Sequence, residues 1–208
     1  GDRVAYGSGA PGAYSEARIM DAGTVVKIPR GIPDEAAAAM MLKGMTVEYL
    51  IRRTYQVKRG QTVLFHAAAG GVGLIAGQWL KALGARAIGT AGGSAKVKLA
   101  KAHGYAEVID YKKKSFVKEV ARLTKNQGVS VVYDSIGKDT WDGSLDCLQP
   151  RGHMVSFGNA SGPVLSFAPG TLAAKGSLYL TRPSLVAYTS SRKELEASAK
   201  SLFAMVKS

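Results

Sequence analysis

From about residue 61 the chain alternates between two hydrophobic periods. Short apolar runs at 62–66, 87–90, 107–110, 129–135, 153–158 and 177–181 recur every 20–25 residues or so, and each predicts a buried strand. Segments of helical spacing fill the gaps. The first, 71–83, aligns Val72, Ile75, Ala76, Trp79 and Leu83 on one stripe. Gly84 follows, suited to the left-handed residue that ends a helix. Ser94 is the expected cap of a second helix ending at Gly104, and Ser115 that of a third. Strands alternating with helices at this period predict a parallel sheet covered on both faces, an α/β doubly wound architecture. The last segment begins Ser191-Arg192-Lys193-Glu194, a capping box. Its Leu195, Leu202, Phe203 and Val206 form an apolar face that needs a partner.

The N-terminal part follows a different pattern. Residues 7–12 read Gly-Ser-Gly-Ala-Pro-Gly, and a short strand-like piece at 24–28 runs into Pro29. Turn residues between short strands predict that residues 1–32 are the end of a β-rich module and a linker, with 33–208 forming the α/β domain. Asp34 is placed to cap a helix that Gly44 would break, with a second helix over 45–55.

Composition adds constraints. The chain has 208 residues, of which 46% are hydrophobic and 21% charged, an ordinary globular balance. One cysteine, Cys147, excludes an intramolecular disulfide framework and any thiolate-rich zinc site. No apolar run is long enough to span a membrane, and a cytoplasmic setting is the expectation. The net charge of +13 suits a nucleic-acid binder or a protein that takes phosphorylated small ligands. The basic residues are scattered, however. The one dense cluster, Lys112-Lys113-Lys114, reads as a solvated loop, so nucleic acid is not the expected partner.

The stretch that carries chemistry is Val63-Leu64-Phe65-His66-Ala67-Ala68-Ala69-Gly70-Gly71-Val72-Gly73. A buried strand enters a glycine-rich turn and then a helix. With Ala68 in the first glycine's place, making the tight turn, it reads A-x-G-x-x-G, a dinucleotide fingerprint. Gly70 or Gly71 leaves room for a pyrophosphate to approach backbone, and Gly73 lets helix and strand pack closely. The helix N-terminus offers N–H groups and positive dipole to the anion. About 20 residues on, an NAD site carries an acid for the ribose. Here the second strand ends Ile88-Gly89-Thr90-Ala91-Gly92-Gly93-Ser94-Ala95-Lys96, without one. Small residues, hydroxyls and Lys96 suit a 2′-phosphate, which favours NADPH. No P-loop, G-x-S-x-G elbow or tyrosine–lysine pair at four-residue spacing is present.

Gly1-Asp2-Arg3-Val4, the 67–73 loop, Tyr133-Asp134-Ser135-Ile136-Gly137, Val155-Ser156-Phe157-Gly158-Asn159 and Thr181-Arg182-Pro183-Ser184-Leu185 together resemble NADPH:quinone oxidoreductases. These are the zeta-crystallin-like, zinc-free branch of the medium-chain dehydrogenase/reductase superfamily. The resemblance covers essentially the whole chain. It implies a fragment: a Rossmann domain truncated at its C-terminal end and preceded by remnants of a GroES-like β domain. It also implies a homodimer for the full-length protein. Thr46 would lie near the nicotinamide. Ala69, Gly70, Gly71 and Val72 would meet the pyrophosphate. Gly92, Gly93, Ser94 and Lys96 would hold the 2′-phosphate, joined by Tyr111. Phe157, Gly158 and Ser161 would line the nicotinamide side, with Pro183, Ser184 and Leu185 closing the pocket.

The implied activity is NADPH-dependent reduction of a quinone or related conjugated carbonyl, with no catalytic side chain expected within these residues. Enoyl or alkenal reduction, and a non-enzymatic crystallin-type or RNA-binding role, are the alternatives. His66, His103 and His153 lack ligand spacing, and His66 reads as a packed histidine beside the loop. Cys147 reads as a core residue. Zinc-dependent relatives place a cysteine near Lys43-Gly44-Met45, where this chain has none, so no metal is expected.

Overall fold

The six apolar runs become six strands of one sheet in the computed structural model, which describes all residues Gly1–Ser208. In chain order the first elements are β1 (Val4–Ala5), β2 (Val26–Lys27) and α1 (Asp34–Tyr49), which runs into a π-helical turn over Leu50–Thr54. The alternating part follows as β3 (Thr62–Phe65), α2 (Gly71–Ala82), β4 (Arg86–Ala91), α3 (Ser94–Ala102), β5 (Glu107–Asp110) and α4 (Phe116–Leu123). It continues through β6 (Val129–Asp134), α5 (Trp141–Asp146), β7 (Leu148–Ser156), α6 (Gly170–Ala174) and β8 (Tyr179–Thr181). Two helices, α7 (Leu185–Tyr188) and α8 (Arg192–Lys207), close the chain.

The sheet order is β5-β4-β3-β6-β7-β8, and every neighbouring pair is parallel. The chain winds outward from β3 to β5, then returns to place β6 on the other side of β3. That reversal opens a crevice at the carboxyl ends of β3 and β6, where open α/β sheets bind ligands. All six residues of β6 are buried, as a central strand covered on both faces requires. The doubly wound, Rossmann-type fold is thus the one the apolar rhythm predicts. Against the sheet, Leu64, Ile88, Val132, Trp141, Leu145 and Met154 belong to one buried cluster. Cys147 sits in it, and burial pushes its thiol up to about 12.

The chain divides into two compact units, one of Gly1–Tyr49 with Ser184–Ser208 and one of Leu50–Pro183. This differs from a boundary at residue 32, because α1 belongs with α8. In the first unit Ser198 Oγ donates to the buried Glu48 carboxylate at 2.9 Å, and Tyr49 stacks on Tyr188 with centroids 4.6 Å apart. The Arg192 guanidinium donates to the carbonyls of Ala22, Gly23 and Val25. Leu195, Leu202 and Phe203 are buried, so the apolar face of α8 has its partner, whereas Val206 remains about half exposed.

Three local expectations are corrected. Gly44 does not break α1: a Cβ there would collide with the Leu202 side chain, so glycine admits α8 and the packing outweighs the roughly 1 kcal/mol helix penalty. Asp34 is the first helical residue rather than the cap; Ala37 N–H reaches Pro33 O, and the Asp34 carboxylate accepts from Arg3 Nε at 2.8 Å. Gly93, at φ +92°, precedes α3 in the cap position assigned to Ser94. Ser115 does cap α4, accepting from Lys118 N–H, and the capping box of α8 is complete.

Candidate functional site

The glycine loop is shaped by close backbone contacts, tight at Gly70 and leaving no space for a side chain at Gly73. The tight turn is made at Ala67, not Ala68: Ala67 takes φ +52°, and Gly70 N–H donates to Ala67 O at 2.8 Å. Ala68 is instead wholly buried, with its N–H on Thr90 O. A Cβ on Gly73 would fall 2.7 Å from Ala68 O and still closer to Ala67 O. Behind the loop, the Tyr105 ring fills the hollow left by Gly77 and Gly89, and its hydroxyl donates to Gly73 O at 2.8 Å. Burial raises that phenol's pKa, so it stays a donor. The first turn of the twelve-residue α2 is thereby pinned with its N–H groups pointing out of the helix end, where an anion is favoured.

The second turn lies at the end of β4. Asp110, from the end of β5, accepts from Gly93 N–H at 3.0 Å and from Lys112 N–H at 3.1 Å. The Gly93 bond is the leading reason its carboxyl is held below the usual range. A Cβ on Gly92 would lie 2.6 Å from the Tyr111 hydroxyl, so glycine there lets the exposed phenol fold over the turn.

Between the two turns is a cavity of about 590 Å³, within the range of small-ligand sites. From β3 and its loop it is lined by His66, Ala67, Ala69 and Gly70; from β4, by Thr90, Ala91, Gly92 and then Lys96. Tyr111 and Phe116 close one side, and Ile136, Asp139, Thr140, Ala160 and Ser161 the other. Behind the lining residues His66 and Thr140 lies a buried polar network. Asp134, wholly buried, accepts Ile136 and Gly137 N–H on Oδ1 at 2.8 and 3.0 Å, and the Thr140 and Ser144 hydroxyls on Oδ2, each at 2.7 Å. His66, also buried, meets Thr90 Oγ1 with Nδ1 at 2.9 Å and Ser144 Oγ with Nε2 at 3.0 Å. Burial lowers its pKa and Asp134 opposes that.

Of the residues expected to bind cofactor, the structure brings Ala69, Gly70, Gly92, Lys96, Tyr111 and Ser161 to this one cavity. Gly71 and Val72 begin α2 directly after Gly70, and Gly93 and Ser94 lie between Gly92 and Lys96. Ser161, in the loop after β7, is tied to the loop after β6, donating to Ile136 O and accepting Asp139 N–H. Phe157, Gly158 and Pro183 belong to the same unit but not to the cavity lining. The Phe157 ring packs on Phe65, and Gly158 O accepts from Arg182. Thr46, Ser184 and Leu185 belong to the other unit. Thr46 Oγ1 donates to Leu42 O, Ser184 Oγ caps α7, and Leu185 is buried.

Sequence reasoning missed Asp134, Ser144, Thr90 and Phe116 as parts of the site. A signal for two of them was present: Thr90 and Asp134 are polar residues at the ends of apolar strand runs. Zinc does not fit these residues, since no group of three or more His, Cys, Asp or Glu side chains is placed to hold a metal ion. No helix is long and apolar enough to cross a membrane.

A glycine loop, a helix N-terminus and a cavity at the reversal point of a parallel sheet define a dinucleotide-binding domain of the dehydrogenase type. Comparison with known proteins agrees: a family described as zinc-binding dehydrogenase matches residues 71–200, and the chain belongs to it. A quinone oxidoreductase of Pseudomonas aeruginosa is 53% identical over 206 residues, 99% of this chain and 63% of that protein. A 2-haloacrylate reductase of a Burkholderia species is 43% identical, over 100% of this chain and 63% of that protein. The crystal structure of Escherichia coli quinone oxidoreductase complexed with NADPH superposes with a TM-score of 0.96 at 51% identity, covering 99% of this chain and 63% of that one. The chain thus spans just under two thirds of the length of these relatives.

Proposed function

We propose that this chain is the cofactor-binding part of an NADPH-dependent reductase that transfers hydride to quinones or related conjugated carbonyls. The observation that carries the reading is the cavity flanked by two different anion sites. The pinned N-terminus of α2 suits a pyrophosphate. The Gly92–Lys96 turn suits a second phosphate, since Lys96 lines the cavity while the nearby Asp110 does not and is tied to backbone N–H groups. The E. coli relative's complex with NADPH supports the same cofactor here. Bound NADPH supplies the hydride; the residues described hold its phosphates and orient it, which brings donor and acceptor together.

The relative acting on 2-haloacrylate favours a second reading, reduction of an activated carbon–carbon double bond at the same site. Fluorescence titration with NADPH and NADH, followed by turnover of p-benzoquinone and of 2-chloroacrylate, separates the two. Quinone turnover by the full-length protein is expected, whereas this chain alone should bind dinucleotide and turn over poorly; full-length turnover of the haloacrylate alone selects the second reading. Absence of dinucleotide binding defeats both.

Lys96→Ala is expected to weaken NADPH binding about tenfold and leave NADH within about twofold, because only NADPH carries the 2′-phosphate. The NADPH loss should shrink in high salt, since Lys96 is exposed. Equal weakening of both cofactors would place Lys96 at the shared pyrophosphate instead.

The reading extends to a zinc-free, cytoplasmic enzyme whose residues 1–32 are the tail of a GroES-like β domain and whose full-length form is a homodimer. Supporting it are the unsuitable donor set for zinc, the single cysteine held as a buried thiol, and the open sheet edge at β8, where Tyr179 is exposed. Elemental analysis of the purified chain should find no stoichiometric zinc; a full equivalent that survives mild chelation would contradict the zinc-free assignment.

A further inference from the structure

His66 sits one residue before the turn that carries the glycine loop, with both ring nitrogens in hydrogen bonds. Four elements enclose it. It meets Thr90 from β4 at 2.9 Å, Ser144 from α5 at 3.0 Å and the edge of Phe116 from α4, with Asp134 beyond Ser144 at the end of β6. Asp134 is the charged group among them.

The direction of this chain of bonds can be worked out. Asp134 already takes two backbone N–H groups on Oδ1, so Oδ2 is the acceptor for Ser144, 2.7 Å away. Ser144 has one hydroxyl proton, and it goes to the carboxylate, the stronger acceptor. Ser144 Oγ must therefore accept from His66, which puts the imidazole proton on Nε2. Nδ1 is then bare, and Thr90 donates to it. The bonds run one way, from Thr90 at the cavity wall through His66 and Ser144 to Asp134.

We propose that His66 is a positioning residue for the glycine loop: a neutral imidazole protonated on Nε2, held by Thr90 and the Ser144–Asp134 pair so that the loop presents its N–H groups to the pyrophosphate. The proposal rests on the dinucleotide reading of the cavity. His66 N–H is bonded to Tyr133 O and Ala68 N–H to Thr90 O, so the backbone on either side of Ala67 is tied to neighbouring strands. The side chain adds the tie to α5 and sets the pitch of the turn at Ala67. Burial lowers the imidazole pKa, in keeping with a neutral ring.

Asp134→Asn gives a sharp test. The N–H groups of Ile136 and Gly137 keep the amide oxygen at the Oδ1 position, so the amide nitrogen faces Ser144. Ser144 then accepts from Asn and donates to His66, and the imidazole proton moves to Nδ1. A ¹⁵N–¹H spectrum of the histidine rings should show wild-type His66 protonated on Nε2 alone and unchanged from about pH 8 to about pH 5.5, across the usual histidine range. The Asp134→Asn protein should show the proton on Nδ1. A wild-type proton on Nδ1, titration of His66 within that range, or an unmoved proton in the variant would each overturn the relay.

NADPH titration at neutral pH of two further variants tests the positioning role, and does so even if Asp134→Asn does not fold. His66→Gln keeps a donor for Ser144 and should raise the dissociation constant about threefold, whereas His66→Leu keeps bulk without hydrogen bonds and should raise it at least about tenfold. Equal losses in the two would show that the ring acts as bulk and would overturn the positioning role. The wild-type titration comes first: if it shows no binding, the dinucleotide reading fails before any variant is compared.

Discussion

Gly73→Ala is expected to abolish measurable dinucleotide binding and to lower stability by about 2 kcal/mol, in the range of overpacking costs. The added methyl would meet the carbonyls of Ala67 and Ala68, which are backbone and cannot rotate away as a side chain would. Either α2 lifts off β3 or the turn at Ala67 opens. Both move the first-turn N–H groups from the position that the Tyr105 hydroxyl helps to fix through Gly73 O. Chemical denaturation and NADPH fluorescence read the two effects separately. Wild-type affinity in a folded Gly73→Ala protein would show that the close approach of helix and strand is not needed for the ligand.

Asp134→Ala is expected to destabilise more, by about 4 kcal/mol. Four donors lose their acceptor at a wholly buried position, two of them backbone N–H groups in the tight turn after β6. A buried donor left unpaired costs roughly 1–3 kcal/mol, and bonds to a charged acceptor lie at the upper end. Some of this is recovered by water entering the space left behind. Asp134→Asn keeps the shape and the Oδ1 acceptor, so about half the loss or less is expected. Urea midpoints of the two variants against wild type provide the measurement. An alanine variant within about 1 kcal/mol of wild type would mean that the four donors find other partners.

The sheet was legible in the sequence because its central strands β3, β4 and β6 are nearly continuous apolar runs, a pattern that burial on both faces imposes, while the edge strands β5 and β8 were placed mainly by the regular spacing. The expected strand 107–110 coincides with β5, and the others agree within a few residues, most loosely at β7, which begins at Leu148. The glycine loop was legible because close approach of backbones leaves glycine little alternative. Gly44 misled because the same residue marks either a break or a close contact, and only the position of α8 decides which. The Asp134–Ser144–His66 network was illegible for a similar reason. Ser144 and His66 are 78 positions apart, and neither lies in a motif with fixed spacing. Lys96 and Tyr111, on separate elements, face one cavity because Gly92 admits the phenol, a contact that neither local pattern contains.

The division of the chain into Leu50–Pro183 and the paired segments Gly1–Tyr49 and Ser184–Ser208 has a consequence for biosynthesis. The parallel sheet is built from one contiguous stretch and can assemble as that stretch leaves the ribosome. The contacts that bury Glu48 and seat Leu202 on Gly44 must wait until α8 has been translated, well over a hundred residues later. Until then the α1 surface that α8 covers is open, a nascent-chain segment of the kind that chaperones shield. Ordering the intervening sheet first shortens the effective loop to be closed and lowers the entropy cost of bringing the two segments together. The cavity lined by His66 to Ser161 is therefore complete earlier than the helical pair formed by the two outer segments.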